Sequence, residues 1–173
     1  QIVRIDTGYL NASSALTDGL DLAAKVTAGA FTVSAEGTYL RRFLVQDTPT
    51  SPVRDVAGNR NFTNFARSLP KWRGNLGAQW QHDHHALNAT VRVIGSYRDD
   101  QNGNRTIPRQ TTLDAQYSLS LGGLAGARDL DLTLGALNLT DQDPPSVLTN
   151  AGYDSKVHDP RGRVVYVRIR AGW

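Results

Sequence analysis

The last stretch of the chain, from Gly162 to Trp173, reads G-R-V-V-Y-V-R-I-R-A-G-W. Counted back from the end in steps of two, the residues from Trp173 to Val165 are all apolar, whereas the residues between them include two arginines and a tyrosine. This period of two predicts a β-strand with one apolar face and one polar face. A soluble β-sandwich shows the same alternation, so the fold class depends on the rest of the chain.

Composition excludes several classes of protein. The 173 residues contain no Cys and no Met, so disulfides and thiolate metal sites do not contribute. A net charge of +3 is too small to indicate binding to nucleic acid. No run of about 18 apolar residues predicts a transmembrane helix, but barrel strands alternate and keep the mean hydropathy low.

The alternation recurs along the chain and predicts about seven strands of roughly 10–15 residues, against about 5–6 in soluble proteins. The predicted strands cover 16–26, 31–43, 70–80, 87–98, 112–121, 130–136 and 162–173. The short connections are Gly29-Ala30, His82–His84 and Gly122–Ala127, and the long polar loops cover 47–64, 99–106 and 140–161. Alternate short and long connections are typical of an outer-membrane barrel with periplasmic turns and extracellular loops. If the short turns are periplasmic, parity places the C-terminus on the periplasmic side as well.

The aromatic residues favour a lipid-facing apolar side. Phe31 and Tyr39 share one strand face eight residues apart, as do Trp72 and Trp80. Eight tilted residues span roughly 19 Å of the bilayer normal, which approaches the apolar band of about 25 Å between two aromatic girdles. We therefore expect six aromatic residues at the membrane interfaces: Phe31, Tyr39, Trp72, Trp80, Tyr97 and Trp173.

The opposite strand faces carry charges that would be costly in hydrocarbon and that fit a wet or plug-filled lumen. These residues are Arg73, Arg92, Arg98, Asp114, Arg168 and Arg170. The solvated outer face of a soluble sheet remains an alternative for them.

Five short motifs resemble, in their order and spacing, the C-terminal part of a TonB-dependent outer-membrane receptor. They are Asn11 with Thr17-Asp18-Gly19-Leu20-Asp21-Leu22, then Leu69-Pro70-Lys71-Trp72, then Asn138-Leu139-Thr140-Asp141-Gln142-Asp143-Pro144-Pro145, then Gly152-Tyr153-Asp154, and finally Asp159-Pro160-Arg161-Gly162-Arg163. Thr140 and Trp173 stand where the family usually has Phe. The resemblance implies an all-β, antiparallel transmembrane barrel of 22 strands, of which residues 1–173 would form about the last seven.

The resemblance also implies a function and partners. It indicates a receptor of the bacterial outer membrane that imports a scarce ligand with energy relayed by TonB through a plug. The ligand would be a ferric siderophore, haem, cobalamin, an oligosaccharide or a peptide. We expect the receptor itself to have no cofactor and no enzymatic activity. Since seven strands would leave two long edges unpaired in lipid, we expect the other barrel strands, the plug and the TonB-contacting segment to lie on another chain. Membrane lipid and the barrel-assembly machinery, through the C-terminal strand, are the other expected partners.

Ligand contacts are expected at the tips of the long loops. The candidates are Arg54, Asn59, Arg60, Phe62, Asn102, Arg105, Tyr153 and Lys156. For each of them, a merely solvated loop residue is an equally good interpretation.

Other interpretations are weaker. His82-Asp83-His84-His85 occupies a hairpin turn, where a solvated turn is favoured over a zinc site that needs three or four converging ligands. His158 lacks the G-x-S-x-G motif that would accompany a hydrolytic triad. A small self-contained outer-membrane barrel acting as an adhesin or structural protein, and a soluble ligand-binding sandwich, are the alternatives from other classes.

Overall fold

The computed structural model describes residues 14–123 and 128–173. Asn11 of the first motif and most of the Gly122–Ala127 connection lie outside these ranges. The seven long strands are β1 (Ser14–Ala28), β2 (Phe31–Gln46), β4 (Trp72–His82), β5 (His85–Ile94), β8 (Gln110–Leu121), β9 (Asp129–Leu137) and β10 (Val164–Gly172). Three short strands lie within the long connections: β3 (Arg54–Asp55), β6 (Tyr97–Asp99) and β7 (Arg105–Ile107). In these ranges the structure has no helix of the length and apolarity that crossing a membrane requires.

The long strands form one antiparallel sheet in the order β1-β2-β4-β5-β8-β9-β10. β3 pairs with the end of β2, and β6 pairs with β7 in a separate two-stranded sheet. Each long strand therefore neighbours the next long strand of the sequence, as in an up-and-down barrel wall. The predicted all-β, antiparallel fold is confirmed, and the sheet is open, with β1 and β10 as its two edges.

The register places the apolar residues of all seven strands on one face. Phe31 lies opposite Trp80, which lies opposite Leu87, and the row continues through Tyr117, Leu134 and Val167. The side chains of this face are exposed, for example Val26 by 67% and Val167 by 70%. In the described ranges no second sheet covers them, so the apolar face is not the core of a sandwich.

The opposite face is joined by polar cross-strand contacts. Arg92 Nε donates to Asp114 Oδ2 over 2.7 Å between β5 and β8. The hydroxyl of Tyr166 on β10 donates to Gln116 Oε1 on β8 over 2.9 Å, reaching across the intervening strand β9. It does so above Gly135, where a methyl group would overlap the tyrosine ring. Two of the predicted inward charges, Arg92 and Asp114, thus pair with each other.

The connections alternate as predicted. Gly29-Ala30 and Asp83-His84 are two-residue turns, and Gly29 and Asp83 take positive φ angles of 57° and 49°, which suit tight hairpins. Because the strands run antiparallel in chain order, every short connection lies at one end of the sheet and every long connection lies at the other.

One strand differs from its prediction. The sequence predicts a continuous strand from 87 to 98, whereas β5 ends at Ile94 and the chain resumes as β6 in the separate sheet. The indole of Trp72 packs over Gly95, a position where any side chain would overlap the ring. Tyr97 is consequently carried away from the apolar face and is only 2% exposed.

Candidate functional site

Most of the buried residues in the described ranges lie in the three long connections, and Val45, Gln110 and Ala136 are buried on the long strands. We call residues 47–71, 95–109 and 138–163 together the loop cluster. Tyr97, Ile107 and Val147 form its apolar centre, and Val157 packs against them. Because the sheet has no covered core, this cluster is where the described chain packs most tightly.

Asp154 connects all three loops through its carboxylate. Its Oδ2 atom accepts hydrogen bonds from Ser68 Oγ at 2.6 Å and from the Tyr97 hydroxyl at 2.9 Å. Its Oδ1 atom accepts the backbone N–H of Lys156 at 3.1 Å. The imidazole of His158 completes the network, with Nε2 at 3.2 Å from the Tyr97 hydroxyl and Nδ1 at 2.7 Å from Gln110 Oε1.

A second connection joins the first two loops through their backbones. The N–H of Arg60 donates to the carbonyl of Arg98, and the N–H of Arg98 donates to the carbonyl of Gly58, both over 2.8 Å. The side chains of Arg60 and Asp99 form a buried ion pair beside this bridge, with Nη1 at 3.2 Å from Oδ1. A buried pair of this kind is compatible with folding only when other hydrogen bonds complete it. Asn102 Nδ2 supplies one to Asp99 at 2.8 Å.

Two motifs of the sequence shape the third loop. The Asn138 side chain forms two hydrogen bonds with the backbone of Gln142. Its Nδ2 donates to the Gln142 carbonyl at 3.0 Å, and its Oδ1 accepts the Gln142 N–H at 2.9 Å. Asp141 then accepts the backbone N–H of Arg163 at 2.8 Å, where the chain returns to β10. Gly162 (φ 64°) leaves room for that carboxylate. The Asn-Leu-Thr-Asp motif thus closes the base of the loop.

Burial and hydrogen bonding set the ionisation of the cluster. Burial, helped by the neighbouring Asp154 carboxylate, raises the pKa of Tyr97 far above its ordinary value. Burial also lowers the pKa of His158, although Asp154 opposes the effect. Burial alone would raise the pKa of Asp99, but hydrogen bonds from Asn102 and Arg60 outweigh it and lower the pKa. Around neutral pH the phenol is therefore protonated and the imidazole neutral.

A cavity of about 700 Å³ opens within the loop cluster. Its lining comes from all three loops and is rich in amides, cations and exposed rings. The lining residues are Arg60, Asn61, Phe62, Asn64, Arg67, Ser68, Gln101, Asn102, Leu148, Thr149, Asn150, Ala151, Tyr153, Asp154, Ser155 and Lys156. This volume falls within the range of roughly 300–1,000 Å³ that is typical of ligand pockets.

The cavity brings together five of the eight residues predicted to contact ligand. Arg60, Phe62, Asn102, Tyr153 and Lys156 line it. The other three lie elsewhere: Arg54 pairs with Asp47, Asn59 takes part in the backbone bridge to Arg98, and Arg105 is exposed on β7. Arg60 is not a solvated tip residue, because its side chain is only 7% exposed.

Sequence reasoning missed the residues that build the site. The predicted ligand contacts do not include Ser68, Asp154 or Gln110, the sequence offers His158 only for a disfavoured hydrolytic triad, and it predicts Tyr97 at the membrane interface. One signal was present, since Asp154 belongs to the Gly-Tyr-Asp motif of the last loop. Its partners lie 57 and 86 residues away in the chain, so no local pattern identifies them.

The other predicted interface aromatics lie on the apolar face. Phe31 pairs with Trp80 near the short turns, and Tyr39 pairs with Trp72 near the loop cluster. Trp173 is 79% exposed just beyond β10, at the short-turn end. Tyr97 is the exception, because the network around Asp154 holds its hydroxyl. Two histidines also lie beside aromatic residues near the short turns, where the sequence predicts no contact for them. His82 stacks on Trp80, and His85 Nδ1 lies 2.6 Å from the Tyr117 hydroxyl.

Comparison with known proteins agrees with this architecture. The family model for the TonB-dependent receptor-like β-barrel matches residues 1–139. No curated protein and no solved structure matches the chain. The family is one of outer-membrane transport receptors, and in the full receptor it implies a plug domain and an interaction with TonB. With a match over most of its length, the chain belongs to the TonB-dependent receptor-like β-barrel family.

Proposed function

We propose that this chain forms part of the wall and extracellular mouth of a receptor that imports a scarce ligand by TonB-energised transport. The ligand classes in question are ferric siderophores, haem, cobalamin, oligosaccharides and peptides. The observation that carries the proposal is an exposed apolar face running across seven antiparallel strands, with all long loops at one end. In water such a face would be an aggregation hazard, whereas in a bilayer it meets acyl chains.

The aromatic rows support the same orientation. In this proposal Tyr39 and Trp72 lie at the outer interface, and Phe31, Trp80 and Trp173 lie at the inner one. Rings that are half apolar and half wet suit these two levels. The loop cluster would then stand outside the cell, where its cavity receives the ligand.

Growth of cells that depend on the receptor tests the proposal. Cells making the full receptor are grown with a ferric siderophore, haemin, cyanocobalamin, an oligosaccharide or a peptide as the limiting nutrient, with and without functional TonB. We expect growth on at least one nutrient, and we expect it to be lost when either the receptor or TonB is removed. Localisation of the receptor in the outer membrane without TonB-dependent growth on any of these nutrients would instead favour the adhesin or structural alternative.

A further inference from the structure

We propose that the cavity of the loop cluster binds an anionic ligand, in which two or more carboxylates or similar oxyanions flank a flat ring. This inference rests on the proposed function and narrows its ligand class. A cavity of this kind would bind ligands without negative charge more weakly. Four observations carry it: a buried arginine, two exposed cations, a carboxylate that is already occupied, and an exposed aromatic ring.

Arg60 is buried, but its guanidinium forms few hydrogen bonds within the described residues. Its guanidinium has five N–H donors. Only one hydrogen bond joins it to another side chain of the described protein, from Nη1 to Asp99 at 3.2 Å. Its partner Asp99 also receives Asn102 Nδ2 at 2.8 Å and the backbone N–H of Gln101 at 3.4 Å. Arg60 therefore lines the cavity with donors to spare, and carboxylate oxygens fit the guanidinium fork bidentately.

Arg67 and Lys156 add two further positive charges to the lining. Both are exposed, and neither forms an ion pair with any carboxylate in residues 14–123 or 128–173. Other arginines of the loops do have such partners, for example Arg54 with Asp47 and Arg161 with Asp159. Two lining cations without carboxylate partners in these ranges attract an anion and raise its local concentration.

The only carboxylate among the lining residues does not cancel these charges. Asp154 directs both oxygens inward, to Ser68, to Tyr97 and to the backbone of Lys156. With three hydrogen bonds it serves as a structural acceptor of the loops. These hydrogen bonds leave its negative charge in place, but Arg60, Arg67 and Lys156 carry three positive charges against the two negative charges of Asp154 and Asp99, so the cavity keeps a net positive charge.

Phe62 supplies a surface for a ring. It is 67% exposed, and the guanidinium carbon of Arg60 lies 4.9 Å from its ring centroid. This cation–π contact orients the arginine beside an aromatic face. Because Arg60 covers one face of the Phe62 ring, a flat ligand ring that packs against the exposed edge of Phe62 would bring its oxyanion substituents toward Arg60.

A pair of probes that differ in charge tests the inference. Benzene-1,3,5-tricarboxylate carries three carboxylates on a flat ring, and benzene-1,3,5-tricarboxamide is its neutral counterpart of the same shape. We expect the full receptor, purified in detergent, to bind the tricarboxylate in titration calorimetry and to bind the tricarboxamide at least about tenfold more weakly. Equal binding of the two probes, or no binding of the tricarboxylate, would overturn the proposal.

Matched double variants assign the effect to the cavity. Replacing Arg67→Gln and Lys156→Gln removes two charges from the lining, whereas Arg105→Gln and Arg109→Gln remove two charges from exposed loop residues outside it. We expect the first variant to weaken tricarboxylate binding at least about tenfold and the second to change it less than about twofold. If both double variants lost tricarboxylate affinity equally, the loss would come from the overall charge of the receptor. That result would contradict an anion site in the cavity.

The two proposals fail separately. TonB-dependent growth without tricarboxylate binding would retain the transport function and reject the anionic ligand class. Tricarboxylate binding that depends on Arg67 and Lys156, in a receptor that supports no TonB-dependent growth, would retain the anion site and reject uptake.

Discussion

Tyr97 donates its hydroxyl proton to Asp154 across 2.9 Å, which joins the β6–β7 hairpin to a loop 57 residues further along the chain. Asp154 also binds Ser68 of the first loop, so a single carboxylate joins all three long connections. The pocket that these loops enclose therefore depends on a few buried polar contacts and on a small apolar centre. Such networks are stabilising when complete and costly when broken.

Removing the phenol hydroxyl is expected to loosen the loop cluster. In Tyr97→Phe, Asp154 loses one donor and His158 loses its neighbour while the ring volume is kept. We expect a loss of about 1–3 kcal/mol in local stability, as is usual for a buried partner left unsatisfied. Hydrogen exchange of the full receptor, followed by mass spectrometry over residues 54–69 and 147–158, measures it.

Tyr39→Phe serves as the control, because Tyr39 is 48% exposed on the apolar face. Its loss of a hydroxyl should leave exchange in the loops unchanged. Equal exchange in Tyr97→Phe and the wild type would show that the hydrogen bond to Asp154 does not hold the loops.

Acidification is expected to open the same cluster through His158. Burial lowers its folded-state pKa below the ordinary value, although the Asp154 carboxylate opposes this and Arg73 adds to it. The unfolded loop then binds a proton more readily than the folded loop. The stabilisation is fully present above about pH 6.5 and is lost as the pH falls through the folded-state pKa.

The pH profile of hydrogen exchange, corrected for the intrinsic rate, checks this prediction between pH 7 and pH 5. Protection of the loops should fall over this range in the wild type and should stay level in His158→Gln. His84→Gln, in the short turn at the opposite end of the sheet, should keep the wild-type profile. A profile that persists in His158→Gln would assign the titration to another group.

Gly135 is predicted to be intolerant of a side chain. A methyl group there would overlap the ring of Tyr166, which must then give up its contact with Gln116. We expect Gly135→Ala to cost about 1–3 kcal/mol, in the range of overpacking. Urea unfolding of the receptor in lipid vesicles measures the change, with Gly122→Ala as control because no atom of residues 14–123 or 128–173 lies within 4 Å of a methyl group at that position.

A double-mutant cycle isolates the steric cause. When Tyr166→Ala is already present, adding Gly135→Ala should cost much less than it does alone. Additive losses would mean that the glycine matters for its backbone and not for the ring above it.

Neighbouring residues of β4 test the orientation of the sheet. Leu76 lies on the apolar face midway between Trp72 and Trp80, and Asn75 lies on the opposite face. In our assignment Leu76→Arg places a charge near the bilayer midplane and costs about 2–4 kcal/mol, whereas Asn75→Arg meets water or the plug and costs little. Unfolding in lipid vesicles compares the two, and similar costs for both variants would refute a lipid-facing apolar side.

The sheet was predictable from sequence because its signal is local. A period of two shows directly in residues such as Val165, Val167 and Ile169, and polar stretches rich in Gly and Pro mark the connections. The loop cluster was not predictable in the same way. Ser68, Tyr97 and Asp154 are brought together by tertiary contacts, and no local sequence pattern links them to one another.

Arg60 shows why composition misled. It lies in a polar segment, between Asn59 and Asn61, which is typical of a solvated loop. The segment is nevertheless buried, because Asn61 satisfies three backbone carbonyls and Asp99 takes up the arginine charge. Burial by polar partners leaves no hydrophobic pattern in the sequence, so only the structure reveals it.

Most contacts between the loops lie around Gly58, Arg98 and Asp154, and few lie at the loop ends. At the turn of Gly103, a side chain would meet no atom of the described residues within 4 Å, although the φ of 70° favours glycine, and the neighbouring Asn102 makes one long contact with the Leu148 carbonyl at 3.5 Å. Mutational drift or an inserted peptide tag at such an apex would leave the anchoring contacts untouched. We therefore expect related receptors to diverge in length and composition at the apices while the stems stay constant.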